Sequence, residues 1–322
     1  MTWPDGSRLS AIDTTRPLPL NAKFENRYSS LRNNFSMPIQ VKPTGAALGA
    51  EITGADLTKP LDDASFAQIR AAFYQHEVIF FRGQELSDED HIRFSARFGE
   101  LRKLKLTSQL HVDHPEIFVV SNIKKDGKHI GSYDAGIFWH TDGAYLANPH
   151  AVSALRALEV PTIDGRVLGD TNFASTSAAY EALPRSMKNR LEGLQALHSI
   201  MQRLNKTLES GIKKDYNAAV KADPEAVHPL VRVHPVNGRK CLYVTEGYTS
   251  RIIGLPEDES SALIAELSAH CVQPEFTYLH KWQKFDLVMW DDCSTQHKAT
   301  FDYPASTPRL MHRTTVVSKD AA

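Results

Sequence analysis

Short strand-like runs recur along this chain with helical patterns gathered mainly outside them, and this arrangement limits the fold more than any other feature. Ile39-Gln40-Val41 alternates, and Val78-Ile79-Phe80-Phe81 is wholly apolar and closed by Arg82-Gly83. Residues 117–120, 151–158, 276–278, 285–290 and 313–317 read as further strands. Val231-Arg232-Val233-His234 and Lys240-Cys241-Leu242-Tyr243-Val244 flank Asn237-Gly238, residues that accept the positive φ of a tight hairpin turn. Asp62 or Asp63 can cap a helix to about His76 with Phe66, Ile69, Ala72 and Phe73 on one face. Ser87 to Asp90 has capping-box spacing and opens a second helix, to about Phe98. Residues 175–183 and 258–271 read as two more. The pattern predicts a mainly β protein with surrounding α-helices, a sandwich or barrel-like core rather than alternating βαβ units.

The 322 residues carry 37 basic and 38 acidic side chains, so no global charge points to nucleic acid or to an anionic membrane. Cys241, Cys271 and Cys293 are odd in number and lack C-x-x-C spacing, which argues against a disulfide framework and for a reducing compartment. The polar start and the lack of a membrane-length apolar run fit a cytoplasmic protein. Residues 1–36, rich in Ser, Asn, Arg and Pro, read as an irregular N-terminal arm, and 37–322 as one domain. The basic stretches around Lys103, Lys105, Lys124, Lys125 and Lys128, and residues 186–226, are lid candidates or solvated loops.

Chemistry concentrates at Gly136-Ile137-Phe138-Trp139-His140-Thr141-Asp142-Gly143-Ala144-Tyr145. On an extended backbone His140 and Asp142 share a face while Thr141 points away, and Gly143 lets something approach closely. An imidazole and a carboxylate suit a first-row transition metal, provided that a third ligand exists. His111-Val112-Asp113-His114 sits in a Pro-bounded loop, and His228 and His234 each precede or adjoin proline near the hairpin, so these read as structural. The better candidate is His297, in the polar loop expected after the apolar run 285–290. Arg309 and Arg313, four apart on a strand, would face inward together, and an unpaired buried charge costs about 3–5 kcal/mol. Such a site asks for a carboxylate ligand.

At this point the chain resembles the taurine/2,4-dichlorophenoxyacetate dioxygenases, which use Fe(II) and 2-oxoglutarate. The resemblance rests on His140-Thr141-Asp142, Gly169-Asp170-Thr171, Glu246 to Ile252, Trp290-Asp291 with Thr295-Gln296-His297, and Arg309-Leu310-Met311-His312-Arg313, in the family's order. It implies a double-stranded β-helix (jelly roll), with His140, Asp142 and His297 as iron ligands. Thr171 and Arg309 would hold the distal carboxylate of 2-oxoglutarate, with Arg313 near its C1 carboxylate and the substrate's anionic group. It also implies O2 as co-reactant, release of succinate and CO2, and hydroxylation of an anionic small molecule: an aryloxy or alkyl carboxylate, a sulfonate or a sulfate ester. Retention of Asp142 favours hydroxylation over halogenation. Family members are dimers or tetramers, so a homo-oligomer is expected, with neither nucleic acid nor membrane as partner.

Some positions depart from the family. Asp292 and Cys293 stand where it often has Asn and Arg, and the His and Tyr that follow the Gly-Glu-Leu turn in taurine-type enzymes are replaced in Arg102-Lys103-Leu104-Lys105-Leu106-Thr107. Gly136 replaces an Asn. Taurine is thus disfavoured, and the substrate-binding candidates are Gly143, Tyr145, Ile200, Tyr248 and Arg313. Rival readings are desaturation or another tailoring oxidation in secondary metabolism, and a non-catalytic metal-binding scaffold.

Overall fold

Whether a strand can be apolar throughout depends on what covers its two faces, and Val78–Phe81 answers this directly. In the computed structural model, which describes residues 38–103, 111–202 and 225–317, all four of its residues are buried. Side chains alternate faces along a strand. Val78 and Phe80 enter a core with Leu155, Val288, Trp290, Met311 and, from a second sheet, Phe173. Ile79 and Phe81 turn the other way, onto Phe66, Ile69, Phe73 and Phe94 of the covering helices Asp63–His76 and Asp88–Ala96. Full burial of each such side chain contributes about 1.5–3 kcal/mol, so both faces hold the strand in place.

The strand belongs to a seven-stranded sheet in the order Gln40–Pro43, Ala50–Thr53, Val78–Phe81, Leu287–Asp291, His150–Glu159, Leu310–Val317, Phe118–Ser121. Only Ala50–Thr53 and Val78–Phe81 pair parallel. Opposite it lies an antiparallel sheet of Thr277–His280, Thr171–Ser175 and Thr295–Ala299. Two sheets enclosing one apolar core, with helices outside, form the jelly roll expected of the sequence. A third sheet, Ala226–Pro229, Gln195–His198 and Thr249–Ile252, adjoins a separate apolar cluster with the helix Glu257–Cys271.

Local signals act as their chemistry predicts. Asp62 accepts from the Ser65 N–H at the first helix, and Ser87 and Asp90 form a reciprocal capping box at the second. Val231–Val233 and Lys240–Leu242 pair around Asn237-Gly238. Three readings need correction. The stretch through His140 is no strand: Gly136 (φ 84°) and Gly143 (φ 69°) bend it, and it touches a sheet at one isolated bridge. His297 lies within the strand Thr295–Ala299, not in a loop. Residues 124–129 form a hairpin, Lys124–Lys125 with Lys128–His129, and 186–226 contains the strand Gln195–His198. The arm at 1–36, Lys105 and most of the second lid candidate lie outside the described residues. No helix among the described residues is long and apolar enough to cross a membrane.

Candidate metal centre

His297 reaches the core because of its strand register. It lies opposite Phe173 in the pairing of Thr295–Ala299 with Thr171–Ser175, so His297, Phe173 and Thr171 share one face. His140 docks beside it through main-chain bonds: its N–H donates to the His297 carbonyl at 3.1 Å, and the His297 N–H donates back at 2.9 Å. The imidazole centroids are 4.1 Å apart. Asp142 follows in a turn anchored by the Thr141 hydroxyl, which donates to the Thr295 carbonyl at 2.9 Å. Ligand atoms of His140, Asp142 and His297 all lie within 4.8 Å of one another, and all three residues are buried.

The protonation states suit a cation. Nδ1 of His140 is 2.8 Å from the Phe138 carbonyl, which can only accept, so Nδ1 carries the proton and Nε2 offers a lone pair. Burial, then the neighbouring His140, pushes His297 well below its ordinary value and keeps it neutral. Burial alone would raise the Asp142 pKa, but the Arg313 guanidinium outweighs it and holds the carboxyl well below the usual range. Arg313 Nη1 donates to Asp142 Oδ2 at 2.6 Å. Ser153 Oγ lies 3.2 Å from the same oxygen and 2.8 Å from Asp292 Oδ2. One hydroxyl proton cannot serve both carboxylates. Burial and the Asp142 charge push the Asp292 carboxyl well above the usual carboxylate range, so a proton is easier to keep on Asp292 than on Asp142.

Beside the cluster is a narrow cavity of about 50 Å³ whose lining includes Thr171, Arg309, Arg313 and Tyr303. Arg309 is only 4 % exposed, yet its nearest partners are the Tyr303 hydroxyl at 3.4 Å and Met311 Sδ at 3.3 Å, and its Nε has none among the described residues. A buried guanidinium without a carboxylate is costly, and an anion in this cavity would satisfy it. Thr171 Oγ1 accepts the Trp282 indole N–H at 3.0 Å, leaving the hydroxyl proton for that anion. These residues fit a metal and a dicarboxylate.

The other candidates fall as follows. The group approaching Gly143 is the His150 ring: a Cβ there would stand 2.7 Å from His150 Cδ2, so the glycine admits an imidazole from within the protein. Gly136 likewise has a conformational reason, φ 84° with Ala299 Cβ 3.3 Å from any added Cβ. Tyr248 is buried near His140 and packs on Tyr145, with centroids 5.0 Å apart. Ile200 is buried and lines neither cavity at the cluster. His111 and His114 face Asp88 and Glu89 at 3.3 and 3.4 Å, and His234 Nδ1 accepts the backbone N–H groups of Val236 and Asn237 at 3.1 and 3.3 Å while its Nε2 meets Asp291 at 2.7 Å, so a carboxylate joins the backbone partners expected there. His228 Nε2 meets the Leu146 carbonyl at 2.9 Å. Sequence reasoning does not single out Trp282, Ser153 or Tyr303: Thr171 lies 111 positions from Trp282, Ser153 meets Asp292 from 139 positions away and Asp142 across a turn 11 positions away, and Tyr303 lies outside every strand and helix.

What fold and site define together is a class: the Fe(II)- and 2-oxoglutarate-dependent dioxygenases, which are oxidoreductases using O2. Comparison with known proteins narrows it. A sequence model described as "Taurine catabolism dioxygenase TauD, TfdA family" matches residues 40–315, and the chain belongs to that family. It is 36% identical over 288 residues to pentalenolactone F synthase of Streptomyces arenae, covering 86% of this chain and 95% of the relative. It is 33% identical over 293 residues to the alpha-ketoglutarate-dependent 2,4-dichlorophenoxyacetate dioxygenase of Cupriavidus pinatubonensis, covering 87% and 98%. Among solved structures, a taurine dioxygenase from Burkholderia xenovorans superposes with a TM-score of 0.72 at 35% identity, covering 88% of this chain and 90% of that one.

Proposed function

We propose that His140, Asp142 and His297 hold Fe(II), that Arg309 and Thr171 bind the distal carboxylate of 2-oxoglutarate, and that the protein hydroxylates an anionic small organic molecule with release of succinate and CO2. Buried Arg309, without a carboxylate among the described residues, is the observation that carries this reading. Iron and 2-oxoglutarate, when bound, supply the oxidising power drawn from O2. The chain's own part is positional. His140 presents Nε2 because Phe138 takes its other proton. Arg313 and Ser153 fix the rotamer of Asp142 through Oδ2. Thr171 offers its hydroxyl proton because Trp282 occupies its lone pair, and each charge-assisted bond to the cosubstrate contributes about 1.5–3 kcal/mol. Arg313, Gly143, Tyr145, Ile200 and Tyr248 are the proposed substrate-side residues, with the Gly143 contribution confined to its backbone. A cytoplasmic location and a dimeric or tetrameric assembly belong to the same reading.

A tailoring oxidation in secondary metabolism is the second reading, favoured by 36% and 34% identity to two pentalenolactone F synthases. Both share one test of the cofactors. Anaerobic addition of Fe(II) and 2-oxoglutarate should give a visible charge-transfer band that Arg309→Met weakens at subsaturating cosubstrate. No band from the folded wild type, with no succinate under air, would overturn the assignment. A succinate-release screen across aryloxy acids, alkyl carboxylates, sulfonates and sulfate esters then identifies the substrate, and strong turnover of taurine would refute its exclusion.

A further inference from the structure

A second set of metal-ligating side chains lies on the helix-covered face of the large sheet. His312 pairs with Arg156 across two strands, and both point away from the face that carries Arg313 and Leu155. Asp88, in the first turn of the helix Asp88–Ala96, is gripped by this pair: its Oδ1 accepts from Arg156 Nη2 and lies 2.9 Å from His312 Nδ1. Its Oδ2 faces His111 Nε2 at 3.3 Å. Asp88 is thus arranged as Asp142 is, with a guanidinium on one oxygen and the other turned toward an imidazole. Ligand atoms of Asp88, His111 and His114 all lie within 4.8 Å of one another, as those of His140, Asp142 and His297 do. The loop holds its two histidines in place. The His111 N–H donates to the Ile117 carbonyl at 3.1 Å, the Ile117 N–H donates to the His114 carbonyl at 3.0 Å, and Ile117 is fully buried. The two imidazoles stack with centroids 5.2 Å apart. Glu89 Oε1 is 3.4 Å from His114 Nε2, and its exposed side chain has room to turn.

We propose that Asp88, His111 and His114, with Glu89 as fourth donor, bind a zinc ion that clasps the loop at 111–114 to the helix Asp88–Ala96. The separations favour a shared cation over two simple ion pairs. A charge-assisted N–H···O bond closes to about 2.7–2.9 Å, whereas both imidazole–carboxylate distances here are longer, at 3.3 and 3.4 Å. Zinc bonds of about 2.0–2.2 Å in tetrahedral geometry set neighbouring ligand atoms about 3.3–3.5 Å apart. Two imidazoles with carboxylate oxygens suit this borderline cation. The carboxylates of Asp88 and Glu89 offset the Arg156 charge, and the imidazoles are partly exposed, which gives the ion a path from solvent. Binding moves the His111 proton from Nε2 to Nδ1, at the expense of a long bond of 3.3 Å from the Asp113 N–H to Nδ1. Through Asp88 and His312 the ion is also tied to the strand Leu310–Val317, which carries Arg313 on its other face. This site shares no ligand with His140, Asp142 and His297 and does not rest on the dioxygenase reading.

The test is zinc binding by the metal-free full-length protein, read by equilibrium dialysis. Wild type should bind two equivalents, and His111→Gln and His114→Gln one each. Circular dichroism checks that each variant is folded, and either one alone decides. His297→Ala should also keep one equivalent, and adding His114→Gln to it should weaken that remaining binding about tenfold or more. With zinc a hundredfold above its Kd, the thermal midpoint of His297→Ala should rise by about 5 °C or more, and that of the double variant should not. His114→Gln is also the background in which iron or cobalt binding at His140, Asp142 and His297 is measured free of the second ion. Glutamine variants that bind as much zinc as wild type, or a folded His297→Ala protein that binds none and shows no thermal shift, would overturn the proposal and leave two imidazole–carboxylate pairs. Loss of one equivalent with His114→Gln but none with His297→Ala would instead refute the iron ligands and leave this site standing.

Discussion

His140 and His297 are bound to each other by their main chains, each N–H donating to the other's carbonyl at 3.1 and 2.9 Å, while their imidazoles share only the space where a cation would sit. Position therefore comes from the backbone and ligation from the side chains. His297→Ala should leave the circular dichroism spectrum unchanged and reduce Fe(II) or Co(II) binding at this site below detection by equilibrium dialysis. Stoichiometric binding by the variant would contradict the ligand assignment.

Arg309 and Thr171 differ in what they give the cosubstrate. Arg309→Met removes up to two charge-assisted bonds, about 3–6 kcal/mol, and should raise the 2-oxoglutarate KM by about a hundredfold or more. Trp282→Phe removes only the indole N–H that orients the Thr171 hydroxyl, so a rise of about fivefold is expected, with kcat little changed. Equal effects of the two substitutions would show that Trp282 acts by packing.

Arg313 governs the acid limb of metal binding. The Asp142 carboxyl is held well below the usual range against the opposing effect of burial, chiefly by Arg313. In Arg313→Gln burial prevails, Asp142 takes up its proton at a higher pH, and protons compete with the cation there. Co(II) affinity should fall more at pH 5.5 than at pH 8, and a uniform loss across pH would exclude this origin.

Stability should respond to groups far from the cation. Burial, with Arg156 and His312 beside it, pushes His91 down to about 3, and burial does the same to His198, with His228 and Arg232 beside it. Between that value and the ordinary 6.5 the unfolded chain binds protons that the folded chain cannot, so this stability is complete above pH 6.5 and is lost as pH falls. Glu77 opposes them. Burial pushes its carboxyl from 4.5 up to about 7, so the folded state keeps a proton that the unfolded chain has lost, and its contribution declines as pH rises through that window. Urea midpoints should therefore fall from pH 6.5 to 5, and Glu77→Gln should be steeper there and more stable than wild type at pH 8. A variant whose pH profile matched wild type would show that Glu77 does not titrate in this range.

Local chemistry made the helices and the apolar strands legible. Asp62, Ser87 and Asn237-Gly238 act within a few residues of themselves, and Val78–Phe81 is apolar because both its faces are covered. Thr295–Ala299 was not legible as a strand. Its inward positions carry the site instead of the core, so Thr295-Gln296-His297 has the polarity of a loop. Nor could the bridge to His140 be read, since it joins residues 157 positions apart through atoms common to every amino acid. The small basic hairpin turns at Asp126-Gly127, both at positive φ (51° and 76°), within a stretch read from its lysines alone as a lid or solvated loop.

The partnerships of the two arginines also set a charge inventory. On the proposed assignment a divalent cation, Arg309 and Arg313 bring four positive charges against the one negative charge of Asp142, the carboxylate that Arg313 grips. A dicarboxylate cosubstrate cancels two of the remaining three. One positive charge is left over in a buried site, so electroneutrality is completed by a monoanion, while a neutral compound leaves a deficit and a dianion an excess.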